Sequence, residues 1–473
     1  MPPCASPVRD GAPPAMGPPM LSRRCFLASS AVLAGAVLLS RRALARAHDD
    51  WPAHGCGPAQ TRHNAGESRL RPDNVARLAL RWDFEADSGI TGTPAVVGER
   101  AVVGSWDGRV YALECSSGKR LWTFEAGTRS YPPDRRLGIY ASPAVSGETV
   151  FVACDRLLAL DLESGRRRWE RVVGDPEKSF EYFWAPPLVH GGRVYAGVSS
   201  GSETQTRGRV VCLDAATGRP LWTFFTVPAR VSGGALIAPP SLDLRSGALY
   251  VVTGNPFHVL PGNLEHSSSV IALDAATGAL RWTDQVHPHD DRNLDLNCPP
   301  MLLRGRRGRP LLVAGGKDGI RAWDREAGRR LWHVQLSPAV PPGGGEALPT
   351  TGPEAGPTAT ADGFVFFASN HHADKGCAVA AIEADSGEIR WLHFLPAFQF
   401  GPLSVAGGVV FLGLIDGKLR AWRAADGEPL WESAAGPPIA GGPAIAHGMV
   451  FVGTGAGQFL PGKKLLAFGL PSA

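Results

Sequence analysis

The chain has 473 residues with 58 Gly and 41 Pro, a composition of short apolar runs and many turns that fits an all-β domain and excludes a helical bundle. Its formal charge of +4 comes from the first 47 residues, which carry six Arg and one Asp; the remainder holds 42 basic and 43 acidic side chains, a net charge of −1. No basic stripe is left for nucleic acid.

In chain order, Ser22-Arg23-Arg24-Cys25-Phe26-Leu27 opens an apolar run that ends near Leu39, and Ala45-Arg46-Ala47 follows as a small-x-small cleavage site. This is the pattern of an export signal, and its paired arginines followed by Phe-Leu resemble a twin-arginine signal. Residues 1–47 are therefore expected to leave the mature chain, whose home would be the periplasm or the exterior, with no membrane span remaining. Six cysteines remain in the mature chain, none at CxxC or CxxCH spacing, so zinc motifs and covalent haem are absent.

Residues 48–76 form an arm before the first repeat, and residues 77–473 carry the repeat. Its clearest copy is Cys212-Leu213-Asp214-Ala215-Ala216-Thr217-Gly218-Arg219-Pro220-Leu221-Trp222: a strand, a turn and a second strand. Asp214 can accept from the turn's own amides, Gly218 supplies a positive φ, and Trp222 offers a flat ring to a gap between sheets. The block recurs, and its closing tryptophans are 82, 122, 169, 222, 282, 332, 391 and 431. A period of roughly 40–60 residues with this content reads as a β-propeller. One ring per four-stranded blade predicts eight blades. Leu465-Leu466-Ala467-Phe468 has no Trp block after it, so the strand Leu78 to Phe84 is expected to complete the eighth blade, removing the open sheet edge.

The arm, with Asp50-Trp51-Pro52, Gly55, Thr61-Arg62, Asn64 and Asn74-Val75, resembles the opening of the pyrroloquinoline-quinone (PQQ) dependent alcohol dehydrogenases. With the repeat, the likeness spans about residues 50 to 470, and the missing haem motif places it near the polyvinyl-alcohol-dehydrogenase-like branch without a haem domain. The resemblance implies calcium, PQQ, an alcohol substrate, small or polymeric, and an external cytochrome c as acceptor. It also assigns roles to individual residues. Glu203, closing Gly197-Val198-Ser199-Ser200-Gly201-Ser202-Glu203, takes the place of a calcium-binding Glu, and Asn255 in Thr253-Gly254-Asn255-Pro256 that of a calcium-binding Asn. Lys317 in Gly316-Lys317-Asp318-Gly319 takes the place of the cation on the quinone oxygens, Ile237 that of the Trp under the cofactor, and Arg136 that of a carboxylate partner. The family's Pro-His-Asp-x-Trp-Asp-Tyr-Asp stretch falls on Pro288 to Asp295. There Arg292 replaces the Trp and Asn293 the catalytic Asp. Asn cannot take a proton from an alcohol, so Asp295, or Asp291, is left to serve as base and metal ligand.

Two other readings compete. A non-catalytic periplasmic propeller, binding a ligand or scaffolding protein assembly, explains Asn293 and Ile237 but not the joint presence of Glu203, Asn255 and Lys317. A hydrolase or lyase would draw on His371 and His372, of which alternation along a strand lets only one enter the channel.

Overall fold

The computed structural model describes residues 49–131, 135–173, 180–200, 206–256, 264–290, 294–336, 358–359, 363–371 and 376–471. Strands among these residues gather into eight blade sheets, each built on four antiparallel strands, and one separate two-stranded hairpin. Blades 1 to 4 begin at Ala95, Ala144, Leu188 and Ser241, and blades 5 to 8 at Met301, Thr358, Ser404 and Ala444. The strand Ala79–Glu85 pairs antiparallel with Lys464–Gly469, Trp82 opposite Ala467 and Phe84 opposite Leu465, and so supplies the outer strand of blade 8. The ring is thus an eight-bladed β-propeller closed by the two ends of its own repeat.

Each blade turn is wired as its residues dictate. Asp214 Oδ1 accepts from the amides of Ala216 (3.2 Å) and Thr217 (2.9 Å) and from the Thr217 hydroxyl (2.7 Å), which holds its carboxyl below the usual carboxylate range. Gly218 completes the turn at φ +68°.

Neighbouring blades meet through the tryptophans. Trp169 Nε1 donates to Ala215 O at 2.9 Å, and its indole lies flat on Gly218 of the next blade, where an added Cβ would sit 2.7 Å from the ring. Trp82 on Gly118, Trp122 on Gly165, Trp222 on Gly278, Trp282 on Gly328, Trp332 on Gly387 and Trp391 on Gly427 repeat the contact. The turn glycine is therefore required twice, for its positive φ and for the close approach of a ring from the preceding blade.

The arm enters the channel. The first strand of each blade is an edge strand whose outer amides and carbonyls face inward, and such groups require partners. Trp51 exchanges two 2.7 Å hydrogen bonds with Val96. The amides of Val145, Leu242, Leu302 and Val405 donate to carbonyls of Pro52, Pro58, Ala59 and Arg62. Asn64 Nδ2 donates to Ile445 O at 2.8 Å. Six blades are thereby tied to one segment. Buried Arg62 fastens it, donating to Leu403 O (2.7 Å), Thr93 Oγ1 (3.1 Å), Ser404 Oγ (2.8 Å), Pro443 O (3.0 Å) and His54 O. Asp50 and Glu67 also accept from Gly98 and Gly448, in the turns that join first and second strands. The arm therefore reaches the channel from that end.

Candidate functional site

In an antiparallel four-stranded blade, the turn between second and third strands and the linker to the next blade lie at the same end. That end is opposite the turns that hold the docking glycines and opposite the turns gripped by the arm. The residues singled out for chemistry belong to this end. Asn255 follows the second strand of blade 4 (Ala248–Val252), Asp295 lies in the linker from blade 4 to blade 5, and Lys317 is in the turn after Pro310–Gly316 of blade 5.

The fold brings these three together. Lys317 Nζ lies 2.8 Å from Asp295 Oδ2, with the two side chains only 9% and 13% exposed. The Asn255 backbone amide donates to Asp295 Oδ1 at 2.8 Å. Both carboxylate oxygens are thus held, each by a donor from a different blade. The glycines around them make the approach possible. A Cβ on Gly254 would lie 2.7 Å from Asp295 Oδ1, and one on Gly316 would lie 2.1 Å from Asp295 O. Leu296 bridges Gly316 in antiparallel fashion, and the amides of Asn297 and Cys298 donate to Gly315 O, so the end of the linker is laid against the turn that carries Lys317.

Upstream in the same linker, buried Asp290 accepts from Ser268 Oγ (3.1 Å) and from the Leu294 amide (2.9 Å). His287 Nε2 lies 3.2 Å from Asp318 Oδ2, off the line of an ideal hydrogen bond. Arg321 grips both oxygens of Asp318. Burial alone would raise the Asp318 carboxyl, but Arg321 and His287 outweigh it and hold the group well below the usual carboxylate range. Sequence reasoning placed His287, Asp290 and Asp318 inside its candidate stretches without these partners, and did not single out Arg321. The Asp318–Arg321 pair is local, three residues apart on one hairpin, whereas His287–Asp318 and Asp290–Ser268 join separate elements that spacing does not connect.

Of the other predicted residues, Ile237 is half-buried in the linker from blade 3 to blade 4. Arg136 is exposed on the short hairpin Arg129–Tyr131/Arg135–Leu137, where its Nε donates to Thr128 Oγ1 at 2.7 Å; it is not drawn to the Asp295 group. Glu203, Asp291, Asn293 and His372 lie outside the described residues, while His371 ends the second strand of blade 6. The six cysteines among the described residues are free, and burial pushes the Cys298 thiol up to about 12.

The profile of the family described as glucose/ethanol/alcohol dehydrogenase, beta-propeller domain (PQQ) matches residues 51–353. The chain belongs to this PQQ dehydrogenase family. A second profile, outer membrane protein assembly factor BamB, matches residues 375–462. A polyvinylalcohol dehydrogenase of Sphingopyxis sp. (strain 113P3) is 30% identical over 471 residues, covering 81% of this chain and 69% of that protein. One from Pseudomonas sp. is 28% identical, covering 86% and 73%. Among solved structures, the quinohemoprotein alcohol dehydrogenase of Comamonas testosteroni superposes with a TM-score of 0.76 at 22% identity, covering 91% of this chain and 83% of that one. A europium-containing methanol dehydrogenase gives 0.78 at 20% identity, covering 90% and 99%. At these identities the structural likenesses speak for the fold.

The residues present fit the groups the family implies. The Asn255 backbone amide donates to the Asp295 carboxylate, and both side chains carry oxygen of the kind a hard cation takes. Gly254 and Gly316 allow the linker and the carboxylate to lie against their backbones. Lys317 supplies a buried positive charge.

Proposed function

We propose that the protein is an exported quinoprotein dehydrogenase that oxidises an alcohol, small or polymeric, with PQQ and calcium. The observation that carries this reading is the Lys317–Asp295–Asn255 arrangement, assembled from two blades and their linker at one end of the channel. When bound, PQQ with its cation supplies the hydride acceptor. Asp295 takes the proton from the substrate hydroxyl, the step for which Asn293 has no capacity. Lys317 and the Asn255 backbone amide hold the carboxylate oriented before substrate arrives. Asn255 and Asp295, with Glu203, would hold calcium; Lys317 and Ile237 would face PQQ. In this reading residues 1–47 are the export signal, and an external cytochrome c takes the electrons. The polyvinylalcohol dehydrogenases at 28–30% identity favour a polymeric alcohol.

The match of residues 375–462 to an assembly factor favours a second reading, a non-catalytic scaffold. The Asp295 arrangement lies outside that stretch. Titration of the mature chain with PQQ, with and without calcium, followed by dye-coupled oxidation of an alcohol panel, separates the two. Calcium-dependent binding with dye reduction, lost in Asp295→Asn, is the expected result. Absence of PQQ binding would overturn the dehydrogenase reading.

A further inference from the structure

The turn of blade 5 contains two charged residues between Gly316 and Gly319, which pair across the hairpin. Lys317 reaches Asp295 at 2.8 Å, and Asp318 reaches His287 at 3.2 Å. Both partners lie on one segment, the linker from blade 4 to blade 5, His287 at its start and Asp295 in its second half. The turn therefore holds the linker twice, with opposite charges on adjacent residues.

The Asp318–Arg321 pair does not by itself indicate a special role. In blade 7 the corresponding turn Asp416-Gly417 is gripped in the same way, Arg420 donating to Asp416 Oδ1 (3.1 Å) and Oδ2 (2.6 Å). An Asp closed by an Arg a turn later is thus a structural device of the repeat. His287 is an addition to it. Its backbone is also restrained, since Pro288 follows and disfavours helical values at the residue before it. The turn is braced from the far side as well, with His333 Nε2 3.0 Å from Asp318 O. Asp318 is therefore a fixed post, and His287 is the linker side chain set against it.

We propose that His287 is a positioning residue for Asp295. By mooring the start of the linker to Asp318 it keeps the far end, and the carboxylate, in register with Lys317. The proposal rests on the reading of Asp295 as the base; His287 itself touches no reacting atom.

The test uses the full mature chain in three forms: wild type, His287→Leu and His287→Gln, the last keeping a side-chain donor. Amide hydrogen exchange of the apo chain is followed over residues 286–297 alongside steady-state kinetics with PQQ and calcium. The expected result is faster exchange in this segment for His287→Leu, with kcat lowered about 10–100-fold, KM within about threefold, and substantial recovery of both in His287→Gln. Asp318→Asn approaches the same contact from the other side and should give the same pattern. Unchanged exchange in both His287→Leu and Asp318→Asn would overturn the proposal. So would equal loss of kcat in the Gln and Leu variants accompanied by equal losses of melting temperature, which marks a structural role alone. If wild type reduces no dye, or Asp295→Asn reduces it as well as wild type, the parent reading fails, and the exchange result still decides whether His287 moors the linker.

Discussion

Gly278→Ala tests the inter-blade docking most directly. Gly278 has φ +76°, and a Cβ there would sit 2.6 Å from Cε3 of Trp222 in the preceding blade. The left-handed conformation costs a side chain about 1–2 kcal/mol. Forcing a methyl into a packed ring adds about 1–3 kcal/mol. The expected loss is therefore about 2–5 kcal/mol. Gly147→Ala is the internal control, since Gly147 has φ +57° but nothing within 4 Å of the added Cβ. It carries the backbone cost alone, about 1–2 kcal/mol. The entropy that Ala removes from the unfolded chain is the same in both variants and cancels. Urea unfolding followed by tryptophan fluorescence gives both values from the shift in midpoint at constant slope. In a Trp222→Leu background, which removes the indole, the Gly278→Ala cost should fall to that of Gly147→Ala. Equal destabilisation by the two substitutions in the native background would refute the docking argument.

Lys317→Met leaves the Asp295 carboxylate buried without its counter-charge and should cost about 3–5 kcal/mol, whereas Lys317→Arg should keep most of the stability; thermal unfolding of the apo chain distinguishes them. Gln399 bridges Leu414 where the equivalent linkers use Leu296 and Ile439, and its Nε2 is buried without a partner among the described residues; Gln399→Leu should therefore stabilise the apo chain by about 1 kcal/mol, and a lowered urea midpoint would contradict this. Arg62→Met strips five donors from carbonyls and hydroxyls in the channel and should release the arm, seen as rapid proteolysis between residues 49 and 76 while the blades stay intact. Asp318, with its carboxyl held below the unfolded value near 4, contributes stability that is present above that pH and lost as pH falls through the lower folded value; Asp318→Asn should flatten the stability profile in this acid range and leave its slope near neutrality unchanged.

What the sequence by itself determines is what repeats. The Asp-x-x-Thr-Gly turns, the alternation of the strands and the eight tryptophans act over a few residues each, so the ring, its blade count and its closure by Leu78 to Phe84 are legible in the order of residues alone. The candidate site is legible in part. Asn255 and Lys317 stand in short motifs after strands, and Asp295 is reached by excluding Asn293 as a base. Their meeting is decided by the tertiary structure, because Asp295 and Lys317 face each other only when the linker from blade 4 is laid against the turn of blade 5. The same reason explains Arg136, placed by motif but held by Thr128, and Arg62, whose partners come from the arm and from blades 1, 7 and 8. It also explains the second role of the docking glycines, since the ring that forbids a Cβ belongs to the blade before. Local turn and strand chemistry is written at fixed short spacings. Contacts between irregular linkers have no period, and only the closed ring brings them into place.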